Sequence, residues 1–145
     1  MSSPRSECLI SPSPRFRRER EYVGVMRMSA GVVAELRIAA ERAAPHECVG
    51  ALLGTSDEVT RSLLLTNVAR NPKTEFEVSA RDYLHAEREA ERAGLRLLGF
   101  FHSHVDAPAV PSAKDLQHAA HFELSVLVSV ANGKAATPVI FHPRA

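Results

Sequence analysis

Between Leu95 and Asp115 the chain reads LRLLGFFHSHVDAPAVPSAKD. Its first part, Leu95 to Ser103, is a near-continuous apolar run, the pattern of a strand buried on both faces. A strand of that kind needs a layer above it and a layer below it, and the segments on either side predict helices that supply them. Upstream, Tyr22 to Met28 predicts a strand and Ser29 an N-cap. Ala30 to Ala43 follows as a helix with an apolar stripe of Val33, Leu36 and Ala40, closed by Pro45. Val49 to Gly54 and Glu58 to Asn67 predict a hairpin joined through Gly54-Thr-Ser-Asp57, followed by a short strand at Phe76 to Val78. Ser79 caps a second predicted helix, Ala80 to Ala93, which Gly94 ends. Downstream, Ser112 caps a short helix through about Ala120, and Phe122 to Val130 and Ala136 to Phe141 predict two more strands. The sum is an α/β fold, a mixed sheet flanked by helices, without internal repeats.

At 145 residues, 45% of them apolar and 24% charged, the chain has the size and composition of one ordinary globular domain. Eighteen basic against seventeen acidic side chains leave no global field to attract nucleic acid or an anionic membrane, so neither is expected as a partner. Residues 1–21, rich in Ser, Pro and Arg, show no apolar periodicity and are expected to form a disordered extension. The domain is then 22–145. Cys8 and Cys48 lie far apart, which disfavours a disulfide framework. No apolar run approaches the ~20 residues that span a bilayer, and the first residues lack the apolar core of a signal peptide. A cytoplasmic location is the resulting expectation.

His102 and His104 sit at the end of the buried strand. Residues i and i+2 of a strand project from one face, so the two imidazoles are aimed the same way. Eleven residues after His104, Asp115 falls in the first turn of the Ser112 helix, where a carboxylate can return toward the strand end. Two His and one Asp are three protein ligands, the number that leaves a catalytic zinc one open position. Singly, each residue has a blander reading: a packed or surface His, or a Ser112-x-x-Asp115 capping box that satisfies helix amides. As a set they are harder to explain that way, because paired imidazoles at the mouth of a buried strand serve no core.

The spacing His102-Ser103-His104, seven residues, Ser112, two residues, Asp115 resembles the JAMM (MPN+) metalloprotease signature at every fixed position. A chance match of five identities in a chain this long is roughly a one in twenty thousand event. Pro45, Glu47, Gly50 and Gly54 resemble the family's upstream segment, which carries a catalytic Glu. The resemblance runs from about Val25 to the end. It departs at Val105, where Pro is common, and at Val49, where bacterial members often carry Cys. It implies an MPN/JAMM-like, cytidine-deaminase-like layered architecture and Zn²⁺ held by His102, His104 and Asp115. Glu47 is implied as general base and then acid, with Ser112 donating to the oxyanion. The implied reaction is hydrolysis of an amide or isopeptide bond at the C-terminus of a ubiquitin-like protein, of sulfur-carrier type or in a conjugate. Two alternatives stay open: a non-catalytic MPN scaffold module, which typically lacks the ligand set, and a zinc hydrolase of a small-molecule amide. Competing motifs do not fit. His46-Glu47 has Gly50 where H-E-x-x-H needs its second His, and the zinc deaminase pattern needs cysteines that do not follow Cys48. Cys48 reads as a small core residue, and His85, His118 and His121 as helix-surface or helix-exit residues.

Overall fold

The computed structural model of the chain describes residues 7–9, in backbone, and 26–142. Strand β1 spans Glu7–Leu9 and β2 Arg27–Ser29, followed by helix α1 at Ala30–Ala43. Strands β3 (Val49–Gly54) and β4 (Glu58–Leu65) precede helix α2 at Ala80–Ala93. Strand β5 (Arg96–Val105) leads to the short helix α3 at Ala113–Ala119, and β6 (Leu124–Ala131), β7 (Lys134–Ala135) and β8 (Val139–Phe141) complete the described chain. They build one mixed sheet in the order β1-β2-β4-β3-β5-β6-β7, with β8 also paired to β6. β5 runs antiparallel to β3 and parallel to β6, so it is central.

The helices form where their caps and stripes expect. The Ser29 hydroxyl accepts from the Val32 amide, the Ser79 hydroxyl from the Asp82 amide, and Gly94 closes α2 in the left-handed conformation at φ 69°. α1 buries Val32, Val33, Leu36 and Ala40 on one face of the sheet, against Met28, Leu52, Leu98, Phe101 and the inward side chains of β6. α2 buries Ala86 and Ala90 on the other face, against Val49, Ala51, Leu53 and Phe100. His118 of α3 packs edge-on against Phe76 and Phe100, which puts α3 on this second face too. Burial of β3 is complete, and that of β5 runs unbroken from Leu98 to Ser103. Removing one such aliphatic side chain from water is worth roughly 1.5–3 kcal/mol. Gly50 is confined between strands: a Cβ there would lie 2.4 Å from the Phe101 ring and 2.6 Å from the Leu63 carbonyl oxygen.

Three expectations change. Residues 7–9, expected within a disordered extension, form a strand antiparallel to β2 with Cys8 opposite Met28; the rest of that extension lies outside the described residues. Of the strand expected at Tyr22 to Met28, residues 22–25 also lie outside them, and Met26 precedes β2, which starts at Arg27. Phe76 to Val78 is not a strand. Its backbone is held by a single ladder-like bond, Val68 amide to Glu77 carbonyl at 2.9 Å, and by a side chain, as described below. One strand was not foreseen: β7 returns on β6 through Asn132-Gly133, both at positive φ, the pair a tight hairpin turn requires.

Candidate metal centre

The register of the two central strands builds the site. Val49 pairs with His102 across β3 and β5, so continuing the antiparallel register by two residues puts Glu47 opposite His104. Glu47, Val49, His102 and His104 then share the α2 face, while Ser103 and Cys48 turn toward α1. The Cys48 amide donates to the Ser103 hydroxyl at 2.8 Å, and the Ser103 amide donates back to the Cys48 carbonyl at 3.1 Å, locking the Glu47 segment to the His strand. Asp115 arrives on α3. The Ser112 hydroxyl accepts from the Asp115 amide at 3.0 Å and the Ser112 amide donates to Asp115 Oδ2, also at 3.0 Å, a full capping box. The blander reading of Ser112 is therefore real, and its effect is to aim the carboxylate at the strand end.

His102 Nε2 lies 3.2 Å and His104 Nε2 3.1 Å from the same oxygen, Asp115 Oδ2. The three residues offer ligand atoms within 4.8 Å of one another, a set able to hold a metal ion. Two further observations fit a metal. His102 Nε2 is fully buried yet makes no well-aligned hydrogen bond, which for a buried polar atom is costly without a further partner. His104 Nδ1 lies 2.9 Å from the Pro108 carbonyl oxygen; donating its proton there fixes the tautomer and leaves the Nε2 lone pair facing the site. The Pro108 carbonyl is brought round by Asp106 at φ 55°, and the neighbouring Ala107 carbonyl accepts from the Ser129 hydroxyl at 2.7 Å.

The electrostatics divide the carboxylates. Burial pushes Glu47 up to about 7, with the charges of Asp115 and Glu75 adding to it and His104 opposing. Burial also acts upward on Asp115, but the two imidazoles aimed at it outweigh that and hold it well below the usual carboxylate range. Burial lowers His102 below an ordinary imidazole in spite of Asp115. His104, more open, is raised chiefly by its contact with Asp115. Cys48 is free and buried, and burial raises its thiol, the opposite of an activated nucleophile. His118 packs among Phe76, Phe100 and Phe122 rather than at a helix surface, and burial lowers it.

The structure thus brings together all five residues singled out from the sequence: three ligand donors, Glu47 beside them on the same face, and Ser112 as the cap of the Asp115 helix. It adds three that sequence reasoning missed. The Phe76 ring stacks on His102 with centroids 4.3 Å apart, Asn67 bonds the Glu47 backbone, and the Pro108 carbonyl partners His104. Asn67 and Pro108 sit in loops dense in Asn and Pro, where each residue already has a sufficient reason as a turn former, so nothing local marked them.

A mixed sheet between α1 and α2/α3, with two His on the central strand and an Asp on the following helix, defines a compact α/β domain with a candidate metal site at the end of that strand. Residues 29–141 match the family described as prokaryotic homologs of the JAB domain. The chain belongs to that family. It is 38% identical over 95 residues to a probable TtuB-protein conjugate cleaving protease of Thermus thermophilus, which covers 66% of this chain and 64% of the relative. It is also 38% identical over 71 residues to the desampylase of Pyrococcus furiosus, covering 49% and 50% respectively. The chain thus spans half to about two thirds of the length of these relatives. Among solved structures it resembles a Desulfitobacterium hafniense protein at TM-score 0.62 and 29% identity, over 78% of this chain and 79% of the other. The fold also matches a JAB1/MPN domain protein of Archaeoglobus fulgidus at TM-score 0.56 and 19% identity, over 79% and 86%.

Proposed function

We propose that this protein is a zinc-dependent peptidase or isopeptidase that hydrolyses the bond at the C-terminus of a ubiquitin-like protein, of sulfur-carrier type or in a conjugate. The observation that carries the reading is a buried carboxyl, Glu47, lifted to about 7 on the strand face where three ligand atoms converge. A structural ion pair would keep such a carboxylate low; a group that must take and return a proton at neutral pH works best near 7. The names of the relatives, a conjugate-cleaving protease and a desampylase, support the substrate class.

In this reading His102, His104 and Asp115 hold the zinc, which supplies Lewis acidity toward water and the scissile carbonyl. Glu47 accepts the proton of the attacking water and passes it to the leaving amine. The Ser112 hydroxyl, whose lone pair caps α3, keeps its own proton to donate toward the oxyanion. A groove of about 810 Å³ runs between α1 and β4, flanked by the exposed Ile38 and Leu64, and reaches Glu47. β4 pairs with β2 only at Glu58 and Val59, so among the described residues its outer edge beyond Val59 is free to accept an extended tail as an added strand. No helix of the described residues is long and apolar enough to cross a membrane. The buried free thiol of Cys48 suits a reducing, cytoplasmic setting.

The test separates metal binding from proton transfer. Glu47→Gln is expected to keep one zinc per chain and its fold while losing ~10²-fold or more in turnover of ubiquitin-like fusions ending in Gly-Gly. His104→Ala is expected to lose zinc and activity together. Equal turnover by Glu47→Gln refutes the assigned role. A zinc-loaded parent that cleaves no member of a fusion panel points instead to a scaffold or a small-molecule hydrolase.

A further inference from the structure

Between β4 and α2 the chain crosses the mouth of the site as a strap, residues 66–78, with no regular secondary structure beyond one turn. Three of its contacts reach three different parts of the metal centre. Asn67 donates to the Glu47 carbonyl at 2.9 Å. Phe76 stacks on the His102 ring. Glu75 pairs with Lys114, the residue before Asp115 on α3.

Asn67 is the point where the strap closes on itself. Its Nδ2 donates to the Glu47 carbonyl and, at 3.0 Å, to the Glu75 carbonyl, while its Oδ1 accepts from the Ala69 amide at 3.0 Å and the Glu77 amide at 3.1 Å. Two carbonyls on one end and two amides on the other use the full capacity of the side chain and leave only one orientation of its amide consistent. The Glu47 amide in turn donates to the Pro72 carbonyl of the same strap at 2.7 Å. The general base precedes β3, so no ladder holds its backbone; both of its backbone polar groups are instead satisfied by the strap.

We infer that Asn67 is a positioning residue: by clamping the strap to both sides of its turn and to the Glu47 carbonyl, it sets the height of the Glu47 carboxyl over the His102, His104 and Asp115 ligands. The inference rests on the role proposed for Glu47. No other residue type of similar size makes these four bonds. Asp lacks both donors and presents its charge to two carbonyl oxygens, Leu lacks every polar atom, and a Gln is one methylene too long for the same four partners. Asn67 touches neither ligand atoms nor substrate, so its loss acts on the placement of a proton-transfer group and not on metal affinity or substrate binding.

The experiment uses the full chain loaded with zinc, comparing the parent with Asn67→Asp, which keeps both acceptor bonds, and Asn67→Ala, which keeps none. The expected result is ~10-fold or greater loss of kcat with KM within ~2-fold and zinc stoichiometry unchanged, since an interaction made in the transition state has been removed rather than uniform binding. A second readout is independent of activity. In Asn67→Asp the Glu47 amide should exchange with solvent ~10-fold faster, the Ala69 and Glu77 amides should stay protected, and the Cys48 amide, held by Ser103, should not change. Unaltered kcat in both variants, or Glu47 protection equal to the parent's, overturns the inference. So does a fall in zinc content that tracks the fall in kcat, because the role would then be structural. Should neither variant fold, exchange in the parent decides: Glu47, Ala69 and Glu77 amides opening as one group supports the clamp, and unrelated rates reject it. A parent that cleaves nothing refutes the proposed reaction while the exchange data still judge the clamp.

Discussion

Glu47 is 6% exposed, and burial outweighs the opposing charge of His104. Its folded pKa, about 7, is above the ordinary 4.5, so the folded chain binds the proton more tightly than the unfolded chain. By linkage the associated stability is fully present below pH 4.5 and is lost as the pH rises to about 7. The shift corresponds to about 3 kcal/mol of destabilisation carried by the ionised form at neutral pH. Asp115 has the opposite sign: its depressed pKa contributes stability above the normal carboxylate range that is lost only on acidification. The metal-free Glu47→Gln variant is therefore expected to melt higher than the metal-free parent, by a margin that opens between about pH 4.5 and 7 and then levels off. Melting curves across that range check it. A margin independent of pH would mean that Glu47 is solvated and that its lifted pKa, on which its role as base depends, is absent.

The elements differ in how visibly the sequence announces them. α1 and α2 begin and end at the residues expected from Ser29, Ser79 and Gly94, because capping is chemistry local to a few positions. β3 and β5 were legible for another reason, since burial on both faces leaves an unmistakable apolar run. Phe76 to Val78 misled because aromatic and β-branched residues pack against α2 and His102 in an irregular strap as well as they would in a strand. β1 left no trace at all: three residues set among Ser, Pro and Arg have no periodicity to read, and their pairing is a property of β2. That pairing carries a prediction. β2 holds Met28, completely buried, yet meets β4 at only two residues, so β1 supplies much of its backbone partnership. Deleting residues 1–20 is expected to lower Tm by more than ~4 °C while leaving zinc content unchanged, because neither β1 nor β2 carries a ligand. An unaltered Tm would show that the β1–β2 ladder contributes nothing to the domain.

Across the molecule, the clustering of His102, His104 and Asp115 was readable because two distant constraints coincide in one short segment: a strand places His102 and His104 on one face, and a capping box returns Asp115 to them. Glu47 was readable only through family resemblance, since its neighbourhood with His104 is created by the β3–β5 register, which no local pattern states. The same architecture predicts what metal does to stability. His102 and His104 belong to the central strand and Asp115 to a helix of seven residues packed on one face, so a bound ion ties α3 to the sheet. Saturation with zinc at ~1,000 times its Kd should stabilise the fold by about 4 kcal/mol. The gain depends on pH with a definite sign. Contact with Asp115 raises His104 above the ordinary imidazole value, so as the pH falls its Nε2 takes up a proton more readily than a free imidazole, zinc must displace that proton to use the lone pair, and binding weakens. The Tm difference between zinc-loaded and chelator-treated protein is expected to be largest near pH 8 and to shrink toward pH 5. His104→Ala should abolish it at every pH. A difference that persists undiminished at pH 5, or in His104→Ala, would place the stabilising ion somewhere other than these three residues.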